Sequence, residues 1–252
     1  MVKILLSGCF GHMGKVITEC VNERDDCRVV AGIDINNEES ASFPVYKSPD
    51  EFPGKADVII DFSHPNALAG LLQYAKKNNC PIVIATTGLS DLQREEIEEA
   101  SKEIPVFFTF NMSLGVNLLS ELAQKAVKVL GQGFDVEIVE MHHNQKIDAP
   151  SGTALMLADS IKSAMDTDPE YVYSRQEKRE KRSKNEIGIH SVRGGTIVGE
   201  HEIIFAGKDE VIKLSHSAAS KQVFAVGAIN AGVYLAGKAP GLYTMSDLVS
   251  EK

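Results

Sequence analysis

The residues that carry the most chemistry lie between Glu137 and Ala154, in the string EIVEMHHNQKIDAPSGTA. His142 and His143 are adjacent there, and Lys146 follows shortly after them. An imidazole can exchange a proton near neutral pH, and a lysine ammonium can supply positive charge or a proton. These residue types predict a site where hydride is added to an acceptor and a proton is supplied to the charge that develops.

Strand and helix patterns indicate how these residues are positioned. Asp135 to His142 is predicted to be a strand, so the side chains of His142 and His143 should point to opposite faces. We therefore expect them to have different roles, one as acid or base and the other in substrate binding.

The turn Pro150-Ser-Gly-Thr-Ala predicts the start of a helix. The N–H groups of Gly152 and Thr153, with the threonine hydroxyl, would form an anion site at that helix N-terminus. With a lysine and a histidine nearby, this is typical of a carboxylate pocket, so the predicted substrate is an acid or a diacid. The structural alternatives are a helix cap at Ser151, a surface role for Lys146 and a strand-end role for the histidine pair.

The beginning of the chain predicts a dinucleotide-binding unit. Val2 to Ser7 is a short apolar strand, GCFGHMG follows at residues 8–14, and a second strand, Arg28 to Ile33, ends at Asp34. Glycines in such a turn let the backbone approach a pyrophosphate, and the helix N-terminus favours its negative charge. Phe10 stands where the usual G-x-G-x-x-G has its second glycine, so an ordinary tight turn is the alternative.

Asp34 is expected to accept hydrogen bonds from the ribose hydroxyls of the cofactor, with a simple turn role as the alternative. The next three residues, Ile-Asn-Asn, supply no cation for a 2′-phosphate. The sequence therefore favours NADH over NADPH. The residues that could still reach a phosphate are His12, Lys15 and Lys47.

Further strands alternate with helices and predict a Rossmann-type, doubly wound parallel sheet. They are Ala56 to Asp61, Ile82 to Ala85 and Pro105 to Phe110. Because ligands of such sheets bind beyond the carboxyl ends of the strands, one crevice rim is expected. It would consist of Gly8–Gly14, Asp34, Phe62–His64, Ala85–Gly88 and Thr109–Met112. Alternatively, the threonines and asparagines are helix caps.

A change of pattern near Ser113 predicts a second, α+β substrate domain with a mixed or antiparallel sheet. Its expected helices are Gly115–Leu130 and Ala154–Met165. Three later strands are interpreted as antiparallel: Ile187–Val192, Thr196–Phe205 and Val211–Ser217. The domains are expected at residues 1–113, with an apolar helix and a tail returning at residues 222–252, and at residues 114–221.

Composition limits the partners and the location. The chain has 252 residues and a net charge of -9, which argues against nucleic acid as a main partner. The charge run Arg175 to Lys184 mixes signs and is interpreted as a solvated or mobile segment. Four cysteines lack metal-site spacing and favour reduced thiols, and no stretch approaches the roughly 20 apolar residues of a membrane span. We expect a cytoplasmic protein without a leader, with small-molecule ligands and no metal site.

The string E-x-x-E-x-H-H-x-x-K-x-D-A-P-S-G-T-A, at residues 137–154, resembles the signature of the 4-hydroxy-tetrahydrodipicolinate reductase family, formerly called dihydrodipicolinate reductase. GCFGHMG, ATTG at residues 85–88, FNMSLGVN from Phe110 and IGIHSVRGGTIVGEH from Ile187 also resemble that family. The likeness spans nearly the whole chain. It implies a reductase of the diaminopimelate route to lysine, usually a homotetramer assembled through the second-domain sheets.

Carried over to this chain, the resemblance implies that His142 is the proton donor or acceptor and Lys146 a proton donor. Thr87 would lie where nicotinamide and substrate meet. The substrate carboxylates would be held by His143, Gly152 and Thr153. The cofactor would be lined by Gly8, Cys9, Phe10, Gly11, His12, Met13, Asp34, Ala85, Thr86, Thr87, Thr109, Phe110, Asn111 and Met112. The implied reaction removes water from a hydroxylated cyclic imine diacid and adds hydride from NADH or NADPH to the conjugated ring.

Two departures from the family pattern bear on these roles. Ile35 stands where many relatives have arginine, which supports NADH, and Lys221 stands where an arginine is common, which leaves any contact from that position open.

A semialdehyde dehydrogenase would need a cysteine nucleophile, and the second domain has no cysteine. The remaining alternative, a non-catalytic NAD(H)-binding redox sensor, would have no use for His142 and Lys146.

Overall fold

The computed structural model describes residues 1–36, 40–109, 111–176 and 179–250. Chain contacts divide it into two compact units, Met1–Leu114 with Lys221–Lys252, and Gly115–Ser220. These divisions fall close to the boundaries expected at residues 113 and 222. Each unit is built around a sheet of its own.

The first unit contains a seven-stranded sheet in which every pairing is parallel. Its strands are β1 (Val2–Ser7), β2 (Cys27–Ile33), β3 (Val45–Tyr46), β4 (Val58–Asp61), β5 (Ile82–Ile84), β6 (Pro105–Phe108) and, last in the chain, β12 (Gly241–Tyr243). Their order across the sheet is β12-β6-β5-β4-β1-β2-β3. The chain leaves β1 towards β2 on one side and returns for β4 on the other. This reversal is the switch point at which doubly wound sheets bind ligands.

Helices cover both faces of this sheet, so the predicted doubly wound architecture is confirmed. They are α1 (His12–Asn22), α2 (Leu68–Asn78), α3 (Asp91–Ser101), α6 (Gln222–Leu235) and α7 (Met245–Ser250). Alternate residues of β1 pack into the hydrophobic cores on the two faces of this sheet. Ile4 and Leu6 pack in the same cluster as α6, whereas Leu5 packs with α2 and α3. The returning helix α6 is apolar on all sides and is therefore buried.

The second unit contains a five-stranded mixed sheet of order β11-β10-β7-β9-β8. The strands are β7 (Asp135–His142), β8 (Glu170–Val172), β9 (Glu186–Arg193), β10 (Gly199–Ala206) and β11 (Val211–Ala218). Two helices accompany them, α4 (Leu114–Leu130) and α5 (Gly152–Ser163). Their apolar residues pack with one face of the sheet in a core that includes Leu119, Leu157, Ile138 and Phe205.

Antiparallel pairing is confirmed for β10, which pairs with β7 and β11, and is wrong for β9. β9 runs parallel to β7 and to β8. The physical reason is the connection, because α5 lies between β7 and β9 and a helical crossover returns the chain in its original direction. The tail expected at the end of residues 222–252 is also corrected, since it adds β12 to the first sheet beside β6.

Strict alternation along β7 places its residues on two faces. Val136, Ile138, Glu140 and His142 are buried, whereas the residues between them are half-buried. Two polar residues therefore end the face whose remainder forms the apolar core of the second unit.

Candidate active site

The predicted crevice rim lies at one edge of the first sheet. Because the strands are parallel, the turns that follow Ser7, Ile33, Asp61, Ile84 and Phe108 all emerge at the same edge. The structure thus brings together the segments proposed to line a cofactor, except Phe110, which lies outside the described residues. Their exposures differ. Cys9, Thr86, Asn111 and Met112 are buried, Gly11, His12 and Thr87 are exposed, and Gly8, Phe10, Met13, Asp34, Ala85 and Thr109 are intermediate.

The glycine turn after β1 depends on two of its three glycines for steric reasons. Gly8 has a φ of 75°, and a Cβ there would lie 2.6 Å from the carbonyl oxygen of Phe62. A Cβ on Gly14 would overlap the carbonyl oxygen of Gly8. Gly11 caps α1 without any side-chain hydrogen bond. The N–H groups of the first turn of α1 are therefore not claimed by a capping side chain, which fits a pyrophosphate.

Asp34 joins this turn to the end of β2. One carboxylate oxygen accepts a hydrogen bond from the N–H of Phe10 at 2.9 Å, and the other accepts from the N–H of Asn36 at 3.1 Å. The turn role considered for Asp34 is therefore real. A carboxylate has about four acceptor positions, so it keeps capacity for ribose hydroxyls. The glycine turn and this carboxylate together fit a dinucleotide.

Asp61 has a structural role that the sequence did not indicate, and the polar residues Thr86 and Asn111 have structural roles as well. Asp61 is fully buried and accepts hydrogen bonds from the hydroxyls of Ser63 at 2.5 Å and Thr86 at 2.7 Å. Burial raises the pKa of this carboxyl group, against the effect of its hydrogen bonds. The side chain of Thr86 therefore serves the fold, and the Asn111 side chain, which accepts from Ser113 N at 2.8 Å, closes a local turn just before α4.

In the second unit, His142 lies at the end of β7 against a buried carboxylate. Its Nδ1 is 2.6 Å from Oε2 of Glu140, a residue with no exposed surface. Arg193 donates to both Glu140 oxygens, at 2.8 and 2.6 Å, and the N–H of Ser151 donates to Oε1 at 3.2 Å. Burial acts to raise the pKa of Glu140, but hydrogen bonds from Arg193, Ser191 and His142 outweigh it and lower the pKa to about 2. Glu140 is therefore ionised at neutral pH.

A second histidine, His201 on β10, completes this cluster. Its ring is 5.3 Å from that of His142 in an edge-on arrangement, and its Nε2 is 3.1 Å from the Ser151 hydroxyl. Burial, followed by the charge of His142, lowers the pKa of His201 to about 4. His201 is therefore neutral at neutral pH.

The start of α5 adjoins the same cluster. Ser151 caps this helix, because its hydroxyl accepts from the N–H of Ala154 at 3.1 Å, and α5 begins at Gly152, earlier than the predicted Ala154. The cap considered for Ser151 is thus present, and the same residue also contacts Glu140 and His201. A Cβ on Gly152 would meet no atom within 4 Å, so the space beside its backbone is open.

Lys146 and His143 occupy the loop that leads from β7 to α5. The ammonium of Lys146 is 2.8 Å from the carboxylate of Asp148, and this hydrogen bond is the largest cause of the lowered pKa of Asp148. The N–H of Lys146 donates to the carbonyl of His143 at 3.2 Å. His143 follows the last residue of β7 and is half-buried, whereas His142 is buried. The surface role considered for Lys146 does not describe it, since its side chain is only 22% exposed.

Sequence reasoning missed Glu140, Arg193 and His201. Glu140 had a detectable signal, because it precedes His142 by two positions on a strand and must share its face.

The charge run from Arg175 to Lys184 was also misinterpreted in part. Arg182 donates to Glu137 at 2.9 Å, to Asp135 at 3.0 Å and to three backbone carbonyls, so it is held against the sheet.

Within the described residues, no helix has the length and apolar character needed to cross a membrane. A Rossmann-type unit with a glycine turn, joined in one chain to a second unit carrying a buried carboxylate–histidine pair, defines a two-domain dehydrogenase or reductase. Comparison with known proteins identifies which kind. The family models for the N-terminus and C-terminus of dihydrodipicolinate reductase match residues 2–112 and 115–249.

Individual relatives agree with the family models. A 4-hydroxy-tetrahydrodipicolinate reductase of Caldanaerobacter subterraneus subsp. tengcongensis is 54% identical over 251 residues, covering 100% of this chain and 99% of the relative. One from Clostridium novyi is 50% identical over 252 residues and covers 100% of both chains. The solved structure of a dipicolinate-bound dihydrodipicolinate reductase from Paenisporosarcina sp. TG-14 has a TM-score of 0.81 and 25% identity, with 97% of each chain covered.

The chain therefore belongs to the dihydrodipicolinate reductase family. Its activity is the NAD(P)H-dependent reduction of 4-hydroxy-tetrahydrodipicolinate to tetrahydrodipicolinate, in the diaminopimelate route to lysine. The reductase activity inferred from the sequence is confirmed, and nothing in the comparisons supports the redox-sensor alternative.

Proposed function

We propose that this chain performs the reduction with NADH as the favoured cofactor, His142 as proton donor and acceptor, and Lys146 as a second proton donor. The first unit would bind the dinucleotide and the second unit the cyclic dicarboxylate. The observation that carries the proposal is the hydrogen bond of His142 Nδ1 to the ionised Glu140. With Nδ1 engaged, Nε2 is the nitrogen left to exchange a proton with a substrate.

Two steps of the reaction need a proton from the protein. The departing hydroxyl must be protonated to leave as water, and the ring must be protonated once hydride has been added. A bound nicotinamide would supply the hydride. We assign the proton exchange to His142 Nε2 and to the ammonium of Lys146, because an acid or cation stabilises the negative charge that develops in each step.

The substrate carboxylates would be held by His143, Gly152 and Thr153. Support comes from the N-terminus of α5, where the backbone dipoles favour an anion, and from the open space beside Gly152. The dipicolinate in the Paenisporosarcina structure is a ring diacid of the expected kind. Thr87, an exposed residue just beyond β5 in the first unit, would take part in binding the same substrate.

NADH is favoured because of the residues at the end of β2. Asp34 would repel a 2′-phosphate, and the Ile35 side chain, 90% exposed, offers no positive charge to neutralise one. Preference for one nicotinamide cofactor therefore depends on these adjacent positions.

The experiment that tests the proposal is nicotinamide oxidation by the purified protein. The substrate is made freshly by the synthase from pyruvate and aspartate semialdehyde, and NADH is compared with NADPH. We expect faster oxidation of NADH, and a loss of turnover in His142→Gln and Lys146→Ala with cofactor binding retained. The matched control is Lys102→Ala, because Lys102 is an exposed lysine just after the end of α3. Full turnover in Lys146→Ala would contradict its assigned role, and faster oxidation of NADPH would contradict the assigned preference.

We further propose a cytoplasmic homotetramer assembled through the second-unit sheets. The face of that sheet opposite its core is half-buried along β7 and carries exposed apolar side chains at Val192 and Val211. Among the described residues, Cys9, Cys20, Cys27 and Cys80 are buried thiols that form no disulfide, which supports a reducing compartment. Light scattering coupled to gel filtration should give four chains per particle, and a monomer would contradict the assembly.

A further inference from the structure

We infer that Glu140 and Arg193 are positioning residues that fix the tautomer and orientation of His142, an assignment that rests on the proposed role of His142. A carboxylate beside an imidazole dictates which nitrogen carries the proton. Because Glu140 only accepts hydrogen bonds when ionised, Nδ1 of His142 must be protonated. Nε2 is then the position that gains or loses a proton.

The carboxylate itself has no freedom to turn away. Oε1 accepts from Arg193 Nη2 and the Ser151 N–H, and Oε2 accepts from Arg193 Nη1 and His142. These contacts fill about the full acceptor capacity of a carboxylate. Glu140 has no exposed surface, so water does not compete for these positions.

Arg193 is in turn oriented by the backbone. Its Nη1 donates to the carbonyl of Val192 at 2.8 Å, and its Nη2 donates to the carbonyl of Asp148 at 2.7 Å. The side chain of Asp148 holds Lys146 at 2.8 Å. Arg193 therefore links the two residues proposed to move protons, His142 through Glu140 and Lys146 through Asp148.

The far side of the imidazole is kept clear by a glycine. A Cβ on Gly199 would lie 3.2 Å from Nε2 of His142, closer than ordinary van der Waals contact. Among the described residues, Glu140 contacts His142 from the same strand, Arg193 on β9 lies beside it in the sheet, and His201 on β10 packs edge-on against its ring. Lys146 and His216 act electrostatically on His201.

The test compares Glu140→Gln with Glu137→Gln. Both residues lie on β7, and each substitution removes a carboxylate that is bonded to an arginine and a histidine. Glu137, however, pairs with Arg182 and His190 on the opposite face. In wild type, nitrogen NMR of ¹⁵N-histidine should show position 142 protonated at Nδ1 in its neutral form. In E140Q this preference should be lost, and kcat should fall by about 10- to 100-fold, within the contribution of general acid–base catalysis. KM for NADH should be unchanged.

The pH profile separates positioning from general damage to the fold. Without the carboxylate, the protonated imidazole is less stabilised, so the alkaline limb of kcat should move to lower pH in E140Q and stay in place in E137Q. A second variant, Gly199→Ala, should also lower kcat by crowding Nε2, with Gly133→Ala, where a Cβ meets no atom within 4 Å, as its control. This variant keeps the assignment testable should E140Q fold poorly.

An Nε2-protonated neutral form in wild type, or an unchanged tautomer and pH profile in E140Q, would overturn the assignment. The NMR measurement needs no turnover, so the two ideas can fail separately. If the tautomer depends on Glu140 but His142→Gln remains fully active, the positioning by Glu140 stands and the proposed catalytic role of His142 falls.

Discussion

Acidification from pH 7 to pH 5 should destabilise the second unit through His201. This side chain is buried, and burial together with the charge of His142 lowers its pKa from 6.5 to about 4. In that interval the unfolded chain binds a proton at this position and the folded chain does not. The stabilising contribution is therefore fully present above about pH 6.5 and is lost as the pH falls towards about 4.

The size of the effect follows from the two pKa values. A difference between 6.5 and about 4 corresponds to about 3 kcal/mol in all, of which about 2 kcal/mol is lost between pH 7 and pH 5. Glu140 acts in a separate window. Its pKa is lowered from 4.5 to about 2, so its contribution persists above about pH 4.5 and disappears only under stronger acid. The pH 7 to 5 interval therefore excludes Glu140. His216, whose pKa is also lowered by burial, contributes in the same interval, so a variant of His201 is needed to separate its share.

His201→Gln removes the titrating group and keeps an amide that can bond Ser151. Urea unfolding followed by far-ultraviolet circular dichroism at pH 7 and pH 5 should show that the variant loses about 2 kcal/mol less than wild type on acidification. His12→Gln, a substitution at an exposed histidine on α1, should lose as much as wild type. Equal losses in His201→Gln and wild type would refute the reasoning.

Three further predictions concern other parts of the chain. Gly14→Ala should weaken NADH binding at least tenfold by isothermal titration calorimetry, because the added Cβ would overlap the carbonyl of Gly8. The control Gly70→Ala adds a Cβ with no atom within 4 Å, so it should raise the free energy of unfolding in urea by about 0.5–1 kcal/mol. Ile35→Arg should raise the ratio of kcat/KM for NADPH to that for NADH by about tenfold, since it adds a cation beside the expected 2′-phosphate position; an unchanged ratio would count against that placement. Arg182→Ala should lower the free energy of unfolding in urea by about 1–3 kcal/mol, because it removes one partner of the partly buried Glu137. A decrease within about 0.5 kcal/mol would mean that the contact is dispensable.

The longer strands of the first sheet were predictable because clear turn signals mark where they end. Val2 to Ser7 was expected as a strand and forms β1 with those bounds, since an apolar run ends there at a glycine. The strands β3, β8 and β12 were not expected. Each has only two or three residues, too few to show a period, and each forms because a longer neighbour offers backbone groups to pair with.

The sequence could nominate site residues only from local residue types and spacing. His142 and Lys146 are identified by type and spacing, and Gly152 by its position at a helix start. Arg193 lies 53 residues from the Glu140 it binds, so only the parallel pairing of β7 with β9 brings the two together. A prediction that treated β9 as antiparallel could not have placed Arg193 beside this carboxylate. The same limit explains Arg182, whose contacts with residues 135–137 depend on a loop returning to the sheet.

Strand β7 carries two glutamates, Glu137 and Glu140. Their surroundings show why we propose a catalytic role for one cluster and a structural role for the other. Glu137 and Glu140 each bond a histidine and at least one arginine, so composition does not distinguish them. The Glu137 cluster has its histidine bonded at Nε2, and a Cβ on the neighbouring Gly188 would overlap the Glu137 carboxylate. The Glu140 cluster instead borders the N-terminus of α5 and leaves Nε2 of His142 facing a glycine. Strand alternation thus assigns the same residue types to a structural face and to the face on which we propose that a proton is exchanged.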